Sequence, residues 1–301
     1  MKKAVRKRES ALMRSRKKWS FLFTLPWLVG AITFFVIPMV QSAVYTFCDV
    51  TLTAQGESFR PVGFENFFQL FSDPNFVLNL QSSVLTTIYQ VPVIVLFALF
   101  SAILLRDQFP GRTLVRAIFF FPVMISSGVV ITILQQNLMM NGNTTDQQQA
   151  YLFAAPSFVY FIEQLGIPQF ILDVVQKVLS SFFNILWKSG VQIILLLAAV
   201  NHIPSSAYEA ADIEGATAWE KLWKITFPMI APNLLVVLIY SLIDSFTDYG
   251  NLVMVMIRNY FSLGQYEYCT TVGMIYYVIV LVIVGLVNFL VGKRIQYTVD
   301  N

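Results

Sequence analysis

HIPSSAYEAADIEGATAWEKLWKITFPMIAP, residues 202–232, is the least apolar stretch in the second half of the chain, and long apolar runs flank it on both sides. Its pattern predicts two short helices with a sharp bend between them. Ser206 and Glu209 have the three-residue spacing of a capping box, in which a hydroxyl and a carboxylate satisfy backbone donors left free at a helix start. Thr217 and Glu220 repeat that spacing. Gly215 lies between the pairs, where the end of the first helix calls for a left-handed residue. Pro228 is expected to stop the second helix just before the next apolar run. Ala210, Ala211 and Ala216 keep the bend thin, while Glu209, Asp212 and Glu214 supply charge, so the loop has the form of a knob over which another protein's groove can close. An ordinary amphipathic connector shows the same pattern, because capping boxes are common, and pattern alone leaves both readings open.

Outward from this loop the chain is apolar. Of its 301 residues, 56% are hydrophobic and 12% charged, with a mean hydropathy of +0.65. That balance suits a bilayer better than water. A helix needs about 20 predominantly apolar residues to cross about 30 Å of hydrocarbon. Six runs qualify: Phe21–Phe47, Ser83–Leu105, Thr113–Leu134, Phe182–Val200, Ile230–Asp248 and Thr271–Val291. The first is too long for a cleaved signal peptide, contains Pro26 and Pro38, and lacks a small-residue cleavage site. The expected fold is an all-α membrane protein with six transmembrane helices.

Lys and Arg set the orientation, since they accumulate in short cytoplasmic segments. Residues 1–20 form a basic tail with Lys2, Lys3, Arg6, Lys7, Arg8, Arg14, Arg16, Lys17 and Lys18. Arg106, Arg112 and Arg116 follow the second run, and Lys221, Lys224, Lys293 and Arg294 fall on the same side if the runs alternate. Arg60, Lys177, Lys188 and Arg258 lie on the other. The expectation is a multi-pass protein of the cell membrane with both termini cytoplasmic and with segments 49–82, 135–181 and 249–270 facing outward. A basic run flush against a first span reads as a topology signal and a contact for anionic membrane lipid, not as a nucleic-acid site. Cys48 and Cys269 both map to the outer face, so a disulfide is topologically open to them. His202 is the sole histidine, has no ligand-spaced partners, and argues against a metal site.

Glu209, Ala210, Ala211, Gly215, Ala216, Ile225 and Pro228 match, in identity and spacing, the EAA loop of binding-protein-dependent ABC importer permeases, and the chain resembles that family. Glu214 stands where Asp is usual, Leu222 where Phe is usual and Phe227 where Leu is usual. The resemblance covers residues 81–294 as the transmembrane core, with the span 21–47 and the basic tail resembling the sugar-importer branch and 295–301 left as a short tail. It implies that residues 202–228 are a cytoplasmic two-helix coupling loop docking into an ATPase subunit. It also implies a second permease subunit, a paralogue on the branch resemblance, an extracytoplasmic solute-binding protein, and a carbohydrate solute, with an oligosaccharide favoured over peptides or polyamines. ATP and magnesium are expected on the partner ATPase and no cofactor on this chain. Gly292 is followed by Lys293 and Arg294, with no Ser or Thr to complete a phosphate loop. No Ser/His/Asp or Cys/His set is present, so the chain is not expected to be an enzyme.

Polar groups inside spans are costly and usually face a bundle interior or a watery cavity. At about 1.5 Å per residue, Gln90, Ser126, Gln192 and Asp244 lie roughly 10–15 Å from the outer ends of four spans. Tyr89, Tyr240 and Tyr249 lie near them in sequence, and aromatic faces suit the apolar face of a sugar ring. The set is a candidate solute pathway. The same groups can simply join helices to one another, and Asp244 can also be read as an ion site, which would make the chain an ion-coupled transporter. The outer segment 135–181 reads either as amphipathic helices that receive a binding protein or as a lid over the spans.

Overall fold

The computed structural model describes residues 20–53, 56–106 and 184–293, together with isolated positions between 110 and 182 and residue 295. Most of the expected third span, Ser126, most of the outer segment 135–181 and most of both tails lie outside the described residues. In chain order the elements are helix α1 (Ser20–Tyr45), strands β1 (Cys48–Thr53) and β2 (Gly56–Pro61), and helices α2 (Glu65–Ser72), α3 (Pro74–Leu104), α4 (Gly190–Asn201), α5 (Ser205–Ile213), α6 (Ala218–Thr247), α7 (Leu252–Ser262) and α8 (Tyr266–Gly292).

Among the described residues, α1, α3, α6 and α8 are long and apolar enough to cross a membrane, at 26, 31, 30 and 27 residues. α1 is the most exposed of the four: none of its most apolar stretch is buried, and side chains such as Phe23 and Phe34 are more than three quarters exposed. Surface of that kind in a folded chain needs hydrocarbon or a partner around it.

Three boundaries differ from the expectation. The second span begins at Pro74, nine residues before Ser83, because Asp73 caps it, its carboxylate accepting the Asn75 N–H at 2.9 Å, and proline at a first helical position sacrifices no bond. The fifth begins at Ala218, because Pro228 does not stop the helix. A π turn at Leu222–Thr226 precedes the proline, with the Phe227 N–H reaching back five residues to the Leu222 carbonyl, and the widened turn gives the ring room where a tight one clashes. α1 repeats the device, with a π turn at Ile32–Val36 ahead of Pro38. The fourth expected span, Phe182–Val200, is interrupted at Ser189. α4 itself has 12 residues, about 18 Å and too short to span alone, and it meets α5 at a bend of 65°.

Contacts divide the chain into two units, residues 1–83 with 249–279 and residues 84–248 with 280–301. The first contains a hairpin that the apolar runs did not announce, with β1 antiparallel to β2 from Cys48 opposite Pro61 to Thr53 opposite Gly56. Buried Asn66 of α2 donates from its amide to the carbonyls of Thr46 and Cys48, each at 3.1 Å, fastening α2 to the end of α1. Asn251 caps α7 by accepting the Val253 N–H at 3.0 Å, and its amide donates to Ser83 at 2.7 Å. The Ser83 hydroxyl in turn lies 2.9 Å from the Tyr276 hydroxyl. Helices in lipid gain little from the hydrophobic effect between themselves, and such polar links contribute on the order of 0.6–1.7 kcal/mol each. Cys48 and Cys269 are free, so the disulfide left open above is not formed.

In the second unit α4 packs antiparallel on α6. Ala199, Val200 and Ile203 at the end of α4 are buried with Ile230 of α6, and Leu99, Tyr208 and Ile225 close over them. At the opposite end Lys188 pairs with Asp248 at 2.9 Å. The Thr87 and Ser245 hydroxyls, 3.2 Å apart, tie α3 to the same face of α6.

Candidate functional site

The loop between α4 and α6 is held in one shape by bonds at each turn. His202 closes α4, its Nδ1–H donating to the Ala198 carbonyl at 2.7 Å. The first expected capping box is absent: α5 starts at Ser205 behind Pro204, with no side chain bonded to its free donors. Proline's fixed φ already sets the helix entry, so Ser206 falls inside the first turn instead of ahead of it. The second box is formed, with the Thr217 hydroxyl accepting the Glu220 N–H at 3.3 Å and the Glu220 carboxylate accepting the Thr217 N–H at 3.0 Å.

Between the helices Gly215 has φ +74°. The Ala216 N–H bonds the Ala211 carbonyl at 2.9 Å and the Gly215 N–H the Asp212 carbonyl at 3.1 Å, which is the paired bonding of a Schellman ending. Lys221 pairs with Asp212 across the bend, and the Tyr208 hydroxyl lies 2.7 Å from that of Thr226, so α5 is bonded to the π turn of α6. The Arg106 guanidinium sits 3.9 Å over the Tyr208 ring. Ala211 is buried against this seat, Ala216 is half-buried, and Glu209, Ala210, Glu214, Gly215 and Pro228 are exposed. Ile213 is 89% exposed beside exposed Glu209, Asp212 and Glu214, and Trp219 across the bend is 67% exposed; the residue pattern alone singled out neither apolar side chain.

The polar residues read from sequence fall in three places. Gln192 of α4 is 1% exposed, and its Oε1 has no hydrogen-bond partner among the described residues. Gln192 is one turn along from Lys188, and Asp244 is one turn along from Asp248 on the antiparallel α6. The Lys188–Asp248 pair therefore puts Gln192 and Asp244 at one level, about 6 Å further in. Tyr240 lies a further turn on the same face; it and Asp244 are half-buried. Gln90, half-buried on α3, is three residues from Thr87, whose partner Ser245 adjoins Asp244. Tyr249 belongs to the other unit, where the Arg258 guanidinium covers its ring at 3.7 Å. The Lys188–Asp248 pair had no signal in sequence beyond an isolated lysine on the outward side.

The first unit has an open cleft of about 320 Å³ between the start of α3 and α7, lined by Asp73, Asn75, Asn79, Asn259 and Tyr260 among others. None of the residues assigned to a pathway lines it. Among the described residues there is no group of His, Cys, Asp and Glu able to hold a metal.

Residues 67–300 match the family model described as binding-protein-dependent transport system inner membrane component. The chain is 25% identical to the probable ABC transporter permease protein YesP of Bacillus subtilis, over 97% of this chain and 95% of that one. It is 25% identical to the multiple sugar-binding transport system permease protein MsmF of Streptococcus mutans, over 93% and 97%. It is also 25% identical to the trehalose/maltose transport system permease protein MalF of Thermococcus litoralis, over 90% and 93%. Among solved structures, a bacterial alginate ABC transporter in complex with an alginate pentasaccharide-bound periplasmic protein superposes with a TM-score of 0.68 at 21% identity, covering 95% of this chain and 98% of that one. That likeness establishes a common fold. With most of its length inside the family match and its helices long enough to span a bilayer, this chain belongs to the binding-protein-dependent transport system inner membrane component family.

Proposed function

We propose that this chain is the permease subunit of an ATP-driven importer that translocates a carbohydrate, with an oligosaccharide as the favoured solute. The observation that carries the reading is the clamped helix–Gly215–helix knob lying within the family match. In this reading residues 202–228 form the cytoplasmic coupling loop within a core at 81–294, six spans are present with both termini cytoplasmic, and Glu209, Ala210, Glu214 and Ile213 meet a cleft of an ATPase subunit that binds ATP and magnesium. Residues 1–20 and 295–301 are cytoplasmic tails, and 21–47 holds the first span. A second permease, a paralogue, completes the route, and an extracytoplasmic binding protein delivers the solute. The names of the relatives, which include multiple sugar-binding, trehalose/maltose and arabinooligosaccharide systems, support the solute class.

The continuity of α6 supports the coupling. α6 is one continuous helix from its Thr217 cap to Thr247. Asp212–Lys221 and Tyr208–Thr226 bond the knob to its first turns. A displacement of the knob therefore moves the helix that carries Tyr240 and Asp244 about 30–40 Å away at 1.5 Å per residue. A sugar's hydroxyls can bond Gln90, Gln192 and Asp244 and its apolar face can lie on Tyr240; Ser126 and Tyr249 are assigned to the pathway on their sequence positions. Membership in this family removes the support for a standalone ion-coupled transporter. The test is affinity purification in mild detergent: an ATPase, a second permease and retained carbohydrate are expected, and isolation of the chain alone with no ATPase would contradict the reading.

A further inference from the structure

We propose that α2 is an interfacial helix whose Phe68 and Phe71, with Phe64 at its N-cap, enter the acyl-chain boundary of the phospholipid leaflet. At about 100° per residue α2 has three sectors. Asn66 and Leu70 point inward and are buried. Glu65, Gln69 and Ser72 share a polar flank. Phe68 and Phe71 form the third sector, 72% and 55% exposed, and Phe64 at the N-cap just ahead of the helix is 63% exposed. A helix with one fixed face, one wet flank and one phenyl flank fits the boundary between water and hydrocarbon.

The chain around α2 holds it at that level. Asn66 grips the carbonyls of Thr46 and Cys48, immediately past the end of α1 at Tyr45. At its other end Asp73 alone separates Ser72 from Pro74, where α3 begins. Consecutive spans enter and leave on one side of the bilayer, so α2 lies where α1 leaves the membrane and α3 enters it. Its exposed apolar surface continues in space to Phe47, whose ring lies 5.4 Å from that of Phe64, and in sequence to exposed Val77 and Leu78 ahead. α2 carries no Lys or Arg, so the attraction is apolar insertion and not charge pairing with anionic headgroups.

The assembled transporter, reconstituted in zwitterionic phosphatidylcholine nanodiscs, provides the test. In a chain with Cys48→Ser and Cys269→Ser, nitroxide labels are placed at Phe68→Cys and, as the control, at Glu65→Cys. Power saturation should give an oxygen-to-nickel-chelate accessibility ratio several-fold higher at position 68 than at 65, unchanged by adding anionic phospholipid. Equal preference for the nickel chelate at both positions would place the phenyl face in water. Protection of position 68 from both relaxants would place it under protein. Either result overturns the proposal. The unsubstituted complex gives a second measurement: a phospholipid with a photoreactive acyl chain should label the peptide that contains Phe68, and absence of label there contradicts insertion.

Discussion

Gly215 adopts φ +74°, a region in which an L residue with a side chain costs about 1–2 kcal/mol. A Cβ there would meet no neighbour within 4 Å, so the cost of substitution is backbone strain and not a clash. Gly215→Val should misplace α6 relative to α5 and abolish solute-stimulated ATP hydrolysis in the assembled complex while expression persists. Gly215→Asn, which tolerates the left-handed region, should keep most of it, and equal rates for the two variants would remove this bend from coupling. Asp244 invites a different substitution. If its carboxylate accepts solute hydroxyls, Asp244→Asn should weaken transport by about 1.5–3 kcal/mol, the value of a hydrogen bond to a charged group, while basal ATP hydrolysis continues. Normal transport with a lowered melting temperature would make Asp244 a helix-joining residue. The need for Gly215 was legible in sequence because a helix ending is a local event. The pairing of Lys188 with Asp248 was not, because it joins residues 60 positions apart, and Ser206 was misread because Pro204, two residues earlier, had already set the helix start.

The elements obey the same division between local and distant causes. The apolar runs announced α1, α3, α6 and α8, since about 20 residues without charge have few alternatives. They could not report that α6 runs through Pro228, because a run of hydropathy does not reveal a π turn that accommodates the ring. The hairpin was readable in principle from Val50, Thr51 and Thr53 with Gly56 opening the second strand, a β-branched pattern that runs of hydropathy do not register. At the head of α6 the Thr217–Glu220 box satisfies donors that water would otherwise have to satisfy. Thr217→Ala should cost about 1 kcal/mol locally, read as faster hydrogen exchange at Glu220 and Lys221 with unchanged exchange in α8. Unchanged exchange at Glu220 would show that the box does not hold the helix start.

At the scale of the whole molecule, the orientation rests on the lysine and arginine bias, and a labelling experiment decides it. With both native cysteines replaced by serine, Arg60→Cys in β2 should react with an impermeant thiol reagent added to intact cells, and Glu214→Cys in the knob should react only after permeabilisation. Both side chains are exposed, so a reversed pattern would overturn the orientation and the docking surface together. In the proposed function this chain forms the membrane path of an importer driven by ATP. Uptake of radiolabelled oligosaccharide into proteoliposomes tests this, the vesicles holding the chain together with the proposed second permease, ATPase and binding protein. Uptake is expected to require both ATP and the binding protein and to persist after sodium and proton gradients are collapsed. Uptake that continues without ATP but stops when a gradient is collapsed would contradict the account.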